Sequence, residues 1–210
     1  MINCWYAEIN HRWSEQELTD KLILLPEKLQ EQALRKRQWI DQQLTIGGKL
    51  LLLHVLKQFK SQLSLSDLNY NAHHRPYFNE GPDFNIAHSG NIVVCCATDS
   101  GKIGVDIEQV KEIDLADYAD YFTLKEWDKI KQHSNLYDGF YNYWTRKEAV
   151  LKAIGTGFHT PLSSVDVSGE SLVYDDIDYH IKPIVIHQEY KCHIATTLIT
   201  TDVQLVPVNL

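Results

Sequence analysis

The chain of 210 residues repeats itself weakly at an offset of 98. "WYAEIN" (5–10) falls on "IGVDIE" (103–108), with Glu8 over Asp106 and Ile9 over Ile107. "KLLLLHVL" (49–56) falls on "KEAVLKAI" (147–154), Lys49 over Lys147 and Leu53 over Leu151. Ala97-Thr98 falls on Ala195-Thr196, and Val105 on Val203. Matches at one offset, in strand-like and helix-like stretches alike, point to two similar halves. Each half reads as a strand, helices and then a hairpin. The fold class expected is therefore α+β, with two similar α+β halves related by a pseudo-two-fold. The join lies near Ser100–Gly101, giving halves 1–101 and 102–210. A site between them is expected, because ligands favour such interfaces.

The local patterns fill in this frame. An alternating strand covers about Ile2–Ile9. Helical segments run from about Ser14 to Lys36, interrupted near Pro26, and from about Asp41 to Gln58. Residues 61–82 read as loop, His73 and His74 included. "FNIAHS" and "NIVVCCAT" are strands joined by a Ser89-Gly90-Asn91 turn, and "KIGVDIEQV" is the next strand. Thr123-Leu124-Lys125-Glu126 has capping-box spacing, so Glu126 is read as structural. A helix through residues 141–154 stops at Gly155-Thr156-Gly157. From Val165 onward the pattern is strands with short turns.

Composition excludes several function classes. Hydrophobic residues are 44% and charged residues 23%, an ordinary globular balance. A net charge of -8 argues against nonspecific nucleic-acid binding. The longest apolar run, Leu50–Leu53, is too short to span a bilayer, and "MINCWYAEIN" lacks the basic start of a signal peptide. A cytoplasmic protein without a membrane partner is expected. The four cysteines show no C-x-x-C spacing and are read as buried free thiols, with Cys95 and Cys96 on opposite strand faces.

Charged residues interrupt the last long helix. At 100° per residue, Phe140, Tyr143, Trp144, Val150, Leu151 and Ile154 share one apolar arc. Lys147 lands inside it, which predicts that the helix borders a polar cleft, since a buried ammonium needs a partner. Glu148 and Lys152 are i,i+4 neighbours, a spacing that an ordinary surface ion pair also explains. Against the repeat, Glu148 replaces Leu50 and Glu108 replaces Asn10. Asp106 and Glu108 are two apart on a strand and share a face. If Glu148 joins them, three carboxylates repel unless a cation neutralises them, and hard oxygen ligands suit Mg²⁺.

These residues resemble a family. "GVDIE" (104–108), followed about forty residues later by "WTRKEAVLKAIGTG" (144–157), and preceded by "FNIAHSG" (84–90), is similar to the 4′-phosphopantetheinyl transferases. The length and two halves look like the larger, monomeric type. The resemblance implies Mg²⁺-dependent transfer of phosphopantetheine from coenzyme A to a serine hydroxyl of an apo acyl or peptidyl carrier protein. Adenosine 3′,5′-bisphosphate would be the other product. It implies Asp106, Glu108 and Glu148 as metal ligands, Glu148 also as the group that activates the serine, and Lys152 and His88 as phosphate contacts.

The resemblance places the nucleotide in the first half, near the basic Lys28, Arg35 and Arg37, with Ser89 beside His88. The family's G-K-P stands here as His74-Arg75-Pro76, so Arg75 would replace a phosphate-binding lysine. Tyr118, Tyr121 and Phe122 are candidate exposed residues for carrier docking. Two alternatives remain at this point: a non-catalytic coenzyme A-binding sensor, and a Mg²⁺-dependent phosphotransferase acting on a small molecule.

Overall fold

Alternation of side chains determines the layering. The computed structural model describes residues 1–157, 160–199 and 202–210. The chain runs β1 (Ile2–Glu8), α1 (Glu15–Leu22), α2 (Glu27–Leu34), α3 (Trp39–Gln58), β2 (Asn69–Tyr70) and β3 (Pro76–Tyr77). It continues β4 (Asp83–Ser89), β5 (Ile92–Thr98), β6 (Ile103–Gln109), α4 (Leu124–Gln132) and α5 (Leu136–Ile154). It ends with β7 (Ser171–Tyr174), β8 (Ile177–Pro183), β9 (Tyr190–Thr196) and β10 (Val203–Pro207). The fold is α+β. The bounds of β5 and β9 differ by 98 residues, as the repeat predicts.

Two four-stranded sheets result, ordered β10-β1-β5-β4 and β6-β9-β8-β7, with β2 and β3 as a separate pair. Every residue of β5 is buried, because each of its faces meets a core. Val93, Cys95 and Ala97 pack against Leu44, Leu51, Leu52 and Val55 of α3. Ile92, Val94 and Cys96 pack instead with Ile103, Val105, Ile107 and Ile194 of the other sheet. A third core sits between α5 and the second sheet, around Phe140, Val150, Leu151 and Ile181. The strand period of two therefore sorts side chains between a helix-facing core and a core shared by both sheets.

The two sheets meet at β4 and β6 without a backbone ladder. Side chains of β4 replace it: the amide of Ile103 donates to Asp83 Oδ2 (2.8 Å), Val105 to Asn85 Oδ1 (3.0 Å) and Gln109 to Ser89 Oγ (3.0 Å). The buried amides are thus satisfied, as they must be.

Three sequence expectations change here. Strand β10 pairs in parallel with β1, Ile2 opposite Val203, so these late residues complete the first sheet and cover what would be its open edge. Cys4 and Cys96 are not free thiols. They face each other across β1 and β5 with Cα atoms 4.0 Å apart and are disulfide-bonded, while Cys95 and Cys192 are free and buried. Strand register, invisible to cysteine spacing, brings them together. Phe122 is buried at 6% exposure rather than displayed. Among the described residues, no helix is long and apolar enough to cross a membrane.

Candidate active site

Gly104 lets α5 lie backbone-close to β6. A Cβ at this position would fall 2.1 Å from the Ala149 carbonyl oxygen and 2.4 Å from the Ala153 nitrogen. The odd-numbered residues of β6, Ile103, Val105 and Ile107, enter the shared core. The even-numbered ones, Gly104, Asp106 and Glu108, face α5. Glu148 and Lys152 lie one turn apart on the helix and meet them. The helix ends where expected, at Gly155 with φ +83°, whose amide donates to Leu151 O at 2.8 Å. A cavity of about 320 Å³ forms there, lined by His88, Asp106, Glu108, Trp144, Glu148 and Lys152. The sequence did not single out Trp144 as a lining residue. Tyr118 and Tyr121 pack edge-on against its ring, at 5.5 and 5.9 Å between centroids.

The cavity is crowded with charge. Lys152 Nζ lies 2.5 Å from Asp106 Oδ1, and Asp106 is only 5% exposed. Ser89 donates to Glu108 Oε2 at 2.6 Å while accepting from Gln109, so it orients that carboxylate. Burial, then the neighbouring Asp106, pushes Glu148 up to about 7. Burial also raises Asp106 and Glu108, against the pull of Lys152. For Lys152 burial disfavours the ammonium, but Asp106, Glu148 and Glu108 together outweigh it and raise its pKa. At His88, desolvation and then the nearby Lys152 lower the pKa, which favours a neutral imidazole.

Two buried carboxylate oxygens in this cavity have no hydrogen-bond partner, Asp106 Oδ2 and Glu148 Oε1. Such orphans are costly unless something satisfies them. Among the described residues, no three His, Cys, Asp or Glu side chains are gathered into a formed metal centre. The orphaned oxygens and the excess of acids nevertheless suit a hard divalent cation.

A second cavity, about 590 Å³, adjoins the first at Ile86 and His88. Arg35, Lys36 and Lys49 make it basic. Of the cations expected here, only Arg35 lines it, and its guanidinium also pairs with Glu31 at 3.2 Å. Lys28 and Arg37 are exposed and line neither cavity. Lys36 and Lys49 were missed. Their signals were adjacency to Arg35 and a lysine set in the apolar helix stretch that aligns with Lys147. Burial lowers the pKa of Lys49.

Arg75 does something other than the phosphate contact expected. Its guanidinium is bidentate to Asp83 at 3.1 and 2.9 Å, and donates to the carbonyls of Lys152 and Ile103 at 3.0 Å each. It clamps β4, β6 and the end of α5 together. Lys147 also departs from expectation. It points away from the cleft and pairs with Glu126 at 2.8 Å, both side chains 0% exposed. Glu126 in turn accepts from the amides of Thr123 (2.8 Å) and Val167 (2.7 Å), so the structural reading of Glu126 holds.

The sequence profile of the 4′-phosphopantetheinyl transferase superfamily matches residues 102–200. The chain is 34% identical over 159 residues to 4′-phosphopantetheinyl transferase ffp of Bacillus subtilis, covering 72% of this chain and 70% of that protein. The chain belongs to the 4′-phosphopantetheinyl transferase superfamily. It is also similar to the Bacillus subtilis (strain 168) transferase Sfp, 35% identical over 151 residues, spanning 69% of this chain and 66% of Sfp. A putative 4′-phosphopantetheinyl transferase of Haemophilus influenzae is 31% identical over 210 residues, with 90% and 88% covered. The stretch matched by the superfamily profile carries Asp106, Glu108, Glu148 and Lys152. His88 and the basic cavity lie outside it, on the half that the longer alignment with the Haemophilus protein reaches.

Proposed function

We propose that this protein transfers the 4′-phosphopantetheine group of coenzyme A to a serine hydroxyl of an apo acyl or peptidyl carrier protein. The observation that carries the reading is the joining of a basic cavity to an acidic one at His88. A coenzyme has an anionic nucleotide end and a pyrophosphate, and these two cavities suit them in turn. The 3′-phosphorylated nucleotide lies against Arg35, Lys36 and Lys49. The pyrophosphate reaches past His88 to Lys152.

The carrier serine attacks the phosphorus that bears pantetheine. Its Oγ–P bond forms, the P–O bond to adenosine 3′,5′-bisphosphate breaks, and the serine proton passes to a base. Glu148 is that base. Its Oε1 has no hydrogen-bond partner within the protein and is free to accept that proton. Lys152 and His88 stabilise charge on the departing phosphate, the main requirement of phosphoryl transfer. Asp106, Glu108 and Glu148 would hold Mg²⁺, which when bound neutralises and polarises the phosphoryl oxygens. Ser89 keeps Glu108 aimed for this. Tyr121, 42% exposed beside Trp144, offers an apolar edge to the carrier near the cavity mouth. All these groups come from one chain, which is consistent with a monomer. A cytoplasmic site of action goes with this substrate pair.

The test is intact-protein mass spectrometry of apo carrier proteins mixed with the protein, coenzyme A and Mg²⁺, with and without chelator. A carrier should gain one phosphopantetheine mass only when metal is present. Binding of coenzyme A with no mass gain on any of a broad carrier panel would overturn the reading in favour of a sensor.

A further inference from the structure

The second half has a cavity of its own, about 680 Å³, on the far side of α5 from the acids. Arg146 and Asn142 line it from the helix, His180 and Lys182 from β8, His193 from β9 and Glu170 from the loop before β7. Residues 146 and 148 are two apart on a helix and so point nearly opposite ways. Nothing in the transfer mechanism uses this place.

Its polar groups are unfinished. Arg146 Nε and His180 Nε2 are both buried and without a hydrogen-bond partner. Arg146 donates a terminal N–H to the Gly169 carbonyl and lies over the Tyr143 ring. Among the described residues, neither Arg146 nor Lys182 has an ion-pair partner. The acid present, Glu170, is exposed at the rim. His193 adds no charge: burial, then Arg146 and Lys191, hold it down to about 3. Thr145 Oγ1 donates to Tyr141 O at 2.8 Å, so the 2.8 Å contact with His193 makes Nδ1 the donor. The cavity thus offers two unpaired cations and two unmet imidazole and guanidinium nitrogens, at a volume usual for small ligands.

The repeat adds a positional argument. Asn142 and Arg146 stand 98 residues beyond Leu44 and Gly48, which line the basic cavity of the first half, and His193 stands 98 beyond Cys95 on the equivalent strand. The second half has rebuilt the corresponding helix–sheet recess with cations from different positions. We propose that this cavity binds a phosphate group, carried by a small phosphorylated molecule, separately from the coenzyme. Guanidinium forks fit phosphate oxygens, and a second lysine supplies the remaining charge.

The test is NMR titration of the full chain with inorganic phosphate and, separately, adenosine 5′-monophosphate. The His180 and His193 imidazole signals are assigned by their loss in His180→Gln and His193→Gln. Both signals should shift saturably with one Kd. Arg146→Gln should weaken binding at least about tenfold, the scale of one charged hydrogen bond. Lys182→Gln, a half-exposed change that leaves folding intact, should weaken it severalfold. Tighter binding of the nucleotide identifies a phosphate ester as the ligand, and equal binding identifies phosphate itself. Absence of a saturable shift with Kd at or below about 1 mM overturns the proposal. So does a shift that Lys182→Gln and Arg146→Gln leave unchanged. Neither result depends on whether carriers are modified.

Discussion

Lys152 Nζ lies 2.5 Å from Asp106 Oδ1, tying the last turn of α5 to the centre of β6. This ammonium contacts one of three acids in the cavity and leaves Asp106 Oδ2 and Glu148 Oε1 without a hydrogen-bond partner. The backbone carbonyl of the same lysine accepts from Arg75 Nε at 3.0 Å. Side chain and main chain of one residue thus hold the two halves of the cleft.

Glu148 should make the metal-free protein less stable as pH rises from about 4.5 to about 7. Its folded pKa is raised to about 7 from an ordinary 4.5, so within that window the folded state holds a proton that the unfolded state has lost. Stability is fully present below the lower value and declines through the upper one. Glu148→Gln should remove most of this decline and stabilise the chelated protein at pH 8 by about 1–3 kcal/mol. Carrier modification should meanwhile fall by about 10²-fold or more. Denaturant titration across pH with chelator, paired with the mass assay, checks both.

Ser89→Ala should act through Glu108. The hydroxyl bridges Glu108 Oε2 at 2.6 Å and the Gln109 amide at 3.0 Å, so its loss frees the carboxylate to rotate. The Mg²⁺ concentration for half-maximal transfer should rise about 10–100-fold, as for other groups that orient metal ligands. Transfer at saturating Mg²⁺ should change less. An unaltered metal dependence would show that the hydroxyl does not orient the ligand.

Lys147→Met should destabilise without touching chemistry. Its partner Glu126 is wholly buried, and removing one member of such a pair costs about 3–5 kcal/mol. Denaturant unfolding should show that loss, while the activity per folded molecule stays near wild type. A collapse of activity in folded protein would put Lys147 back in the cleft.

Lys49→Gln should raise KM for coenzyme A about tenfold, the effect of losing one charged contact, with kcat little changed. Lys49 lines the basic cavity, away from the reacting phosphorus. Initial-rate kinetics over coenzyme A concentration separates the two parameters. A kcat loss at constant KM is the outcome that contradicts this placement.

Several features of single elements are legible in the sequence. The alternation that put Cys95 and Cys96 on opposite faces is real, and so is the shared face of Asp106 and Glu108. These features depend only on the period of one element. What was not readable depends on register between elements. The sequence marks Lys147 as a charge in need of a partner, yet that partner, Glu126, lies on another helix and also serves locally as a cap. Arg75 reads as a spare cation in the sequence because its partners, the Asp83 carboxylate and main-chain carbonyls 28 and 77 residues away, are brought to it only by the fold. Cys4 meets Cys96 only because β1 and β5 pair in that register. The family resemblance treats Lys28 and Arg37 with Arg35 as one basic cluster, but only placement beside α3 tells a lining cation from a solvated one.

The near contact at Gly104 has a further meaning. A cleft whose spacing is set by side chains can be adjusted one residue at a time. Here the separation between strand and helix is gauged by bare main chain, with the nearest atoms 2.1 and 2.4 Å from where a methyl group would stand. Four cavity-lining groups, two on the strand and two on the helix, ride on that single clearance. A change there would shift all four in concert, so variation in what this cleft accepts must come from its walls and not from its gap.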